Sequence, residues 1–291
     1  MNNDEKSFVI NDLIGRYHPE NMYPWMPGAA NPEVKAALFG ISVDEYNDGV
    51  KRFALQAREA AQELLKDTDT LDLIKQLPFR KTDTIVAYGD GQAADRAGWF
   101  GMLKYAVELT MEGAAQKWVF SGREGDTTAD LLRRVERDVL IHKPDWVILS
   151  TGTFDAQMIP FQANRTLVSL ADTYENVSAL SDLLADRVKN PVIWITPVPV
   201  LSEFVENREL FELDFDNDAI ESIRELVAGK PGYIIDPSGT RFGNPAEAWN
   251  YASDGVNPSV AGHMIVVKTI LRILVNAKEV KGKRLGDGVQ L

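Results

Sequence analysis

From Thr84 onward the chain falls into one rhythm, and that rhythm constrains the fold more than any other feature. Short apolar runs at 85–88, 118–120, 146–150, 192–196 and 233–235 alternate with longer amphipathic stretches at about 97–112, 127–142, 171–188, 218–228 and 260–276. Short apolar runs bounded by turn residues suit strands buried on both faces. Strand–helix alternation demands right-handed crossovers and a parallel sheet covered by helices on each side. The expected class is therefore α/β, with three α/β/α layers around a five-stranded parallel sheet. The stretch 127–142 is the clearest helix. Leu131, Leu132, Val135, Val139 and Leu140 share a face, Asp126 or Thr127 can cap it, and Pro144 stops it.

Residues 1–80 read differently, as a helical extension ahead of a domain spanning 81–291. The segment 23–32, YPWMPGAANP, carries three prolines and two large aromatics, so it reads as an ordered loop rather than a helix or strand. Tyr23 and Trp25 can line a lid over a pocket; pinning the loop onto the core is the favoured reading. Beyond it Ser42 and Glu45 form a capping box, Ile41 supplies a hydrophobic staple, and Val43, Tyr46, Val50, Phe53, Ala57, Ala61, Leu64 and Leu65 recur at helical spacing. A short helix is expected at 70–76.

Composition removes several classes of function. The 291 residues carry 31 Lys+Arg against 43 Asp+Glu, a net charge of −12. Like charges oppose binding to nucleic acid or an anionic membrane. The chain has no cysteine, which excludes disulfides, thiolate zinc sites and a cysteine nucleophile and fits a reducing compartment. No apolar run is expected to reach the roughly 18 residues that span a bilayer. The start, MNNDEKSFVINDLIGRYH, lacks the basic and apolar pattern of a secretory signal. The expected location is cytoplasmic, with no nucleic-acid and no membrane partner. The tail KEVKGKRLGDGVQL reads as a solvated end.

Ligands in open parallel sheets bind beyond the carboxyl ends of the strands. Those ends read Gly89-Asp90-Gly91-Gln92, then Ser121-Gly122-Arg123-Glu124-Gly125-Asp126-Thr127-Thr128, then Gly152-Thr153-Phe154-Asp155. The block Asp254-Gly255-Val256-Asn257-Pro258-Ser259 precedes the last helix. Four such blocks, in this order and at these intervals, resemble the SGNH/GDSL hydrolases of the bacterial GDSL-like lipase/acylhydrolase type, from about 83 to about 274. The resemblance implies a flavodoxin-like fold and ester or acyl hydrolysis, often on acetylated carbohydrates or lipids. It places the nucleophilic serine at Gly91, an oxyanion-hole amide at Gly125, a side-chain oxyanion donor at Phe154, the histidine base at Asn257 and its orienting carboxylate at Asp254.

Only Gly125 and Asp254 match that pattern. Glycine has no hydroxyl with which to attack, phenylalanine has no donor for an oxyanion, and asparagine does not titrate near neutrality. Triad groups act as a unit, so the standard mechanism is lost. Of the three histidines, His142 belongs at the opposite edge of the sheet, His263 inside the last helix and His18 in the extension. Ser121 and Ser253 have no evident base. Asp90, Glu124, Asp126, Asp155 and Asp254 can converge as an acid/base or cation site; the favoured reading has Asp90, Asp126 and Asp155 holding loops through backbone N–H groups. Asp214, Asp216 and Asp218 lack the glycine and closing glutamate of a calcium loop. The sequence therefore points to a non-hydrolytic protein without metal or cofactor. It would bind a small ligand or a protein partner in a pocket of Asp90, Gly91, Gln92, Gly125, Phe154, Asp155 and Asn257, with Phe154 as an apolar wall. An inactive subunit in an oligomer is a further reading, and an esterase using non-standard residues is the rival.

Overall fold

Five parallel strands form the sheet: β1 (Thr84–Gly89), β2 (Lys117–Gly122), β3 (Trp146–Ser150), β4 (Ile193–Ile195) and β5 (Tyr233–Ile235), in the order β2-β1-β3-β4-β5. The computed structural model describes residues 2–160, 165–205, 214–243 and 247–282. The register pairs Val86 with both Val119 and Val147. Chain order reverses between β1 and β3, which makes the carboxyl ends of these two strands the switch point of the sheet.

Successive side chains of a strand face opposite ways, so each strand serves two cores. On one face Ile85, Ala87, Ile148, Ile193 and Ile195 meet helices α1 (Val43–Leu65), α2 (Thr68–Lys75), α3 (Trp99–Thr110) and α7 (Val260–Gly282). On the other, Val86, Tyr88, Val147, Leu149 and Trp194 meet α4 (Thr128–Asp138), α5 (Leu170–Arg187) and α6 (Asn217–Ala228). The three layers and all five strands follow the sequence expectation. Helix α4 is shorter than expected: it ends at Asp138, and the 3₁₀ turn Leu140–His142 completes the segment before left-handed Lys143.

Ala57, Ala61, Leu64 and Ile74 of the amino-terminal segment share the core with the sheet, so α1 and α2 complete one outer layer. Ser42 caps α1 by accepting from the Glu45 N–H at 3.3 Å, and Glu45 accepts in return from the Ser42 N–H at 3.0 Å. Ahead of α1 the helical run from Asn3 widens to a π turn at Val9–Leu13 and ends with the turn Ile14–Arg16. It stops there because His18 precedes Pro19 and is held extended (φ −114°, ψ 92°). Gly15 lets this turn press onto α1, since a Cβ there would lie 3.0 Å from Phe53 Cζ.

Two expectations change. Trp25 is 67% exposed and Tyr23 42%, so this proline-rich loop does not pin itself onto the core through its aromatics. Trp25 instead meets the Tyr23 ring edge-on at 6.2 Å and the Arg137 guanidinium at 5.9 Å. The stretch Val260–Ala277 is long and apolar enough to cross a bilayer, contrary to the expectation of no such run. Its apolar side is already taken: Val266, Val267, Ile270 and Leu271 lie in the sheet core. Asp216, from the acidic 211–218 run, caps α6 by accepting from the Asp218 and Ala219 N–H groups. Most of the basic tail lies outside the described residues.

Ser42→Ala removes the cap of α1 and is expected to cost about 1 kcal/mol. Urea unfolding checks this, with a lower midpoint and an unchanged slope.

Candidate functional site

The loops after β1 and β2 and the loop before α7 meet at the switch point. After β1 the chain turns at Asp90, which caps the short helix Gly91–Ala94 by accepting from the Gln92 N–H at 3.2 Å. Ser150 at the end of β3 donates its hydroxyl to the same Asp90 oxygen at 3.2 Å. The loop after β2 is tied down by the Arg123 N–H, which donates to the Gly89 carbonyl at 3.0 Å. Arg134 braces both strand ends, donating to the carbonyls of Ser121 (2.7 Å) and Gly89 (2.8 Å). The loop before α7 is organised by buried Asp254, which accepts from the Val256 and Asn257 N–H groups at 2.9 and 2.8 Å.

At the centre stands a buried polar network. The Asn257 amide donates one hydrogen to Asp254 Oδ2 at 3.0 Å and the other to Glu124 Oε1 at 3.1 Å. Arg16, from the amino-terminal segment, reaches the same two carboxylates: Nη2 lies 2.9 Å from Asp254 Oδ2 and Nε 3.4 Å from Glu124 Oε2. Burial works against the Arg16 charge, but Glu124 and Asp254 outweigh it and hold its pKa above the ordinary value. An asparagine amide has two N–H donors on one nitrogen, and a neutral imidazole has one. Asn257 thus bridges the two carboxylates without adding a charge of its own.

Gly91 borders this network so closely that a side chain there would require Glu124 and Asn257 to shift. A Cβ there would lie 2.4 Å from Glu124 Oε2 and 2.6 Å from Asn257 Oδ1. Both atoms belong to side chains with partners of their own, so such a shift would disturb the contacts of Glu124 with Asn257 and Arg16.

The structure brings together only part of the sequence-derived site. Asp90, Gly91, Gln92, Asp254 and Asn257 are buried. Gly125 is exposed, at φ +83°, with open space where a Cβ would stand. The expected apolar wall is absent: Phe154 is buried in the core, edge-on to Phe215 with ring centroids 5.8 Å apart, because an aromatic ring gains more from that contact than from a polar cleft. Asp155 holds loops as expected, accepting from the Thr128 N–H at 2.9 Å and from the hydroxyls of Thr128 and Thr173. Asp90 does the same through Gln92. Asp126 does not; it pairs with the Arg134 guanidinium, whose charge outweighs what a backbone amide offers. Of the five candidate carboxylates, Glu124 and Asp254 meet directly in the network. Among the described residues no group of three or more Asp, Glu or His is placed to hold a metal ion.

The histidines lie elsewhere. His263 Nε2 is 3.4 Å from Asp95 Oδ2 inside α7, His18 Nε2 is 2.6 Å from the Ala94 carbonyl, and His142 sits in the turn before β3. Sequence reasoning missed Arg16 altogether. Its only local signal was the extended residue before Pro19 that ends its helix, and nothing in that says where the side chain goes.

Five parallel strands in the order β2-β1-β3-β4-β5, with a polar centre at the β1/β3 switch point, make a three-layer α/β/α fold. Residues 83–265 match the model of the GDSL-like lipase/acylhydrolase family, and the chain belongs to that SGNH/GDSL family. An acetylxylan esterase of Geobacillus stearothermophilus is 27% identical over 204 residues, covering 66% of this chain and 88% of that protein. A solved catalytic mutant of an acetylxylan esterase from the same organism superposes with a TM-score of 0.53 at 22% identity, over 66% of this chain and 94% of that one. An alpha/beta hydrolase from the metagenome of Lake Arreo, Spain, gives 0.52 at 23% identity, over 67% and 96%.

Two predictions follow from this geometry. Removing one partner of a buried ion pair leaves the others uncompensated. Arg16→Met should therefore lower stability by about 3 kcal/mol, and Arg16→Met with Glu124→Met should recover part of that loss; chemical denaturation of both variants checks it. The second concerns Asp90. Burial, the largest influence, and the nearby Glu124 push its carboxyl up to about 7 from an ordinary 3.8. The native state then holds a proton that the unfolded state has released, so this group's contribution to stability falls as pH rises from about 4 to 7. Asp90→Asn should remove that component. Measured at pH 4, 5.5 and 7, the wild type should lose stability relative to the variant, by at most about 1.4 kcal/mol per pH unit.

Proposed function

We propose that this protein is a non-hydrolytic member of its family, a pseudo-hydrolase that acts by binding a small ligand or a protein partner. The observation that carries the reading is the crowding at Gly91. The position that the family resemblance gives to the nucleophile has no hydroxyl, and a Cβ there would meet Glu124 Oε2 at 2.4 Å. Two further features support it. Asn257 at the base position is fully engaged by Asp254 and Glu124, and Phe154 at the oxyanion-donor position is packed in the core. The protein works in this reading without metal or cofactor, in the cytoplasm, away from nucleic acid and membranes. The absence of cysteine and the charge of −12 support those assignments.

The second reading is ester hydrolysis with non-standard residues. The kinship with an acetylxylan esterase favours it, and acetylated carbohydrate would then be the substrate class. It requires a nucleophile and base outside the four strand-end blocks.

Turnover of p-nitrophenyl acetate separates the two. The wild type should run at the rate of buffer. The triple variant Gly91→Ser, Phe154→Asn, Asn257→His should stay silent as well, because the Glu124 carboxylate still lies beside position 91. Saturable wild-type turnover that is abolished by a single substitution would overturn the proposal in favour of the esterase.

A further inference from the structure

Residues 3–22 form a strap that reaches the switch point from outside the family-matched part of the chain, which begins at 83. Its helical run ends at Arg16, whose guanidinium meets Asp254 and Glu124. Beyond that, His18 Nε2 donates to the Ala94 carbonyl at 2.6 Å, on the short helix that starts at Gly91. Asn21 donates its side-chain amide to the Phe120 carbonyl of β2 at 3.2 Å. In the other direction Arg96 donates its backbone N–H to the Gly15 carbonyl at 2.9 Å and its Nε to the Ile14 carbonyl at 3.0 Å.

The apolar hold on the strap is small. Ile14 and Pro19 are its buried apolar side chains among the described residues. Ile14 belongs to a small cluster with Ala36, Tyr46, Phe53 and Ala97, separate from the two cores that flank the sheet. At the far end the seam is not closed. A cleft of about 240 Å³ lies there, lined by His18, Glu20 and Asn21 of the strap and by Val50, Tyr105 and Phe120 of the body. Along the same seam Arg96 Nη2 and Glu20 Oε2 are buried without a hydrogen bond, a cost that hydration in an open state removes. Few buried apolar contacts and unmade polar ones mark a unit of low local stability. The loop that joins the strap to the rest of the chain exposes Tyr23, Trp25 and Met26, so it can act as the hinge.

We propose that the strap is a gate over the switch point, which opens as one unit while the sheet stays folded, with Arg16 as its latch. Opening lifts the guanidinium from Glu124 and Asp254 and uncovers the 91–94 helix. A detached helix of this length is marginal in water, so its amides exchange in the open state. The gate controls access to the site and holds whether or not the protein cleaves esters.

Residue-resolved hydrogen exchange of the full chain tests the gate. The amides of Ile14 and Tyr17 in the strap, and of Arg96 in the body, should share one protection factor. It should lie about a hundredfold below that of Val86 and Val147 in β1 and β3. Asn21→Ala removes a contact at the far end of the strap. It should speed exchange at Ile14, Tyr17 and Arg96 alike by about fivefold, the worth of one hydrogen bond, and leave Val86 and Val147 unchanged. Arg16→Lys keeps the charge but loses the planar fork that reaches two carboxylates, and should speed the same three amides by about tenfold. An Arg96 amide as protected as Val86, or an Asn21→Ala effect confined to 18–22, would show that the strap does not open as a unit. Unchanged exchange in Arg16→Lys would refute the latch.

Discussion

The guanidinium of Arg16 is the charge around which this structure is arranged. It sits where a parallel α/β sheet of this topology opens its ligand crevice, between the carboxyl ends of β1 and β3, and it comes from outside the sheet. A buried arginine is tolerable only with paired, hydrogen-bonded anions. Asp254 and Glu124 supply them from two different loops. One interaction thus joins the loop after β2, the loop before α7 and the helical segment ahead of α1.

The residues around Arg16 are consistent with one another in a way that single substitutions would not be. Glycine at 91 leaves room for Glu124; Glu124 needs a donor and finds one in Asn257; Asn257 can serve two carboxylates because it carries two N–H groups. A serine at 91 would force Glu124 and Asn257 to shift, and a neutral imidazole at 257 would have one N–H for the two carboxylates. Two of the three departures from the family pattern, Gly91 and Asn257, therefore belong to one packed polar unit. Phe154 completes the change by adding apolar surface to the core beside Phe215.

Much of the fold was legible from residue patterns because its cause is local. The five apolar runs become strands since each must be buried on both faces, and α1 begins at Val43 since Ser42 and Glu45 satisfy each other's backbone groups. The blocks at the strand ends were legible for the same reason: topology fixes where they go. What escaped was set by distant contacts. Arg16 is 108 residues before Glu124 and 238 before Asp254, and no spacing rule links them. Asp126 was expected to bind a backbone amide, yet Arg134, eight residues on and one face of α4 away, claims it. Trp25 looked like an anchor from its prolines, but the prolines stiffen the loop without deciding which way its aromatics face.

The proposed function rests on the absence of an activated serine at the switch-point site. Intact-mass measurement after treatment of the folded protein with a fluorophosphonate, which phosphonylates activated serines, tests this directly. The unmodified mass should persist. One equivalent of phosphonyl adduct on a single serine would contradict the account, and the modified position would identify the nucleophile it had missed.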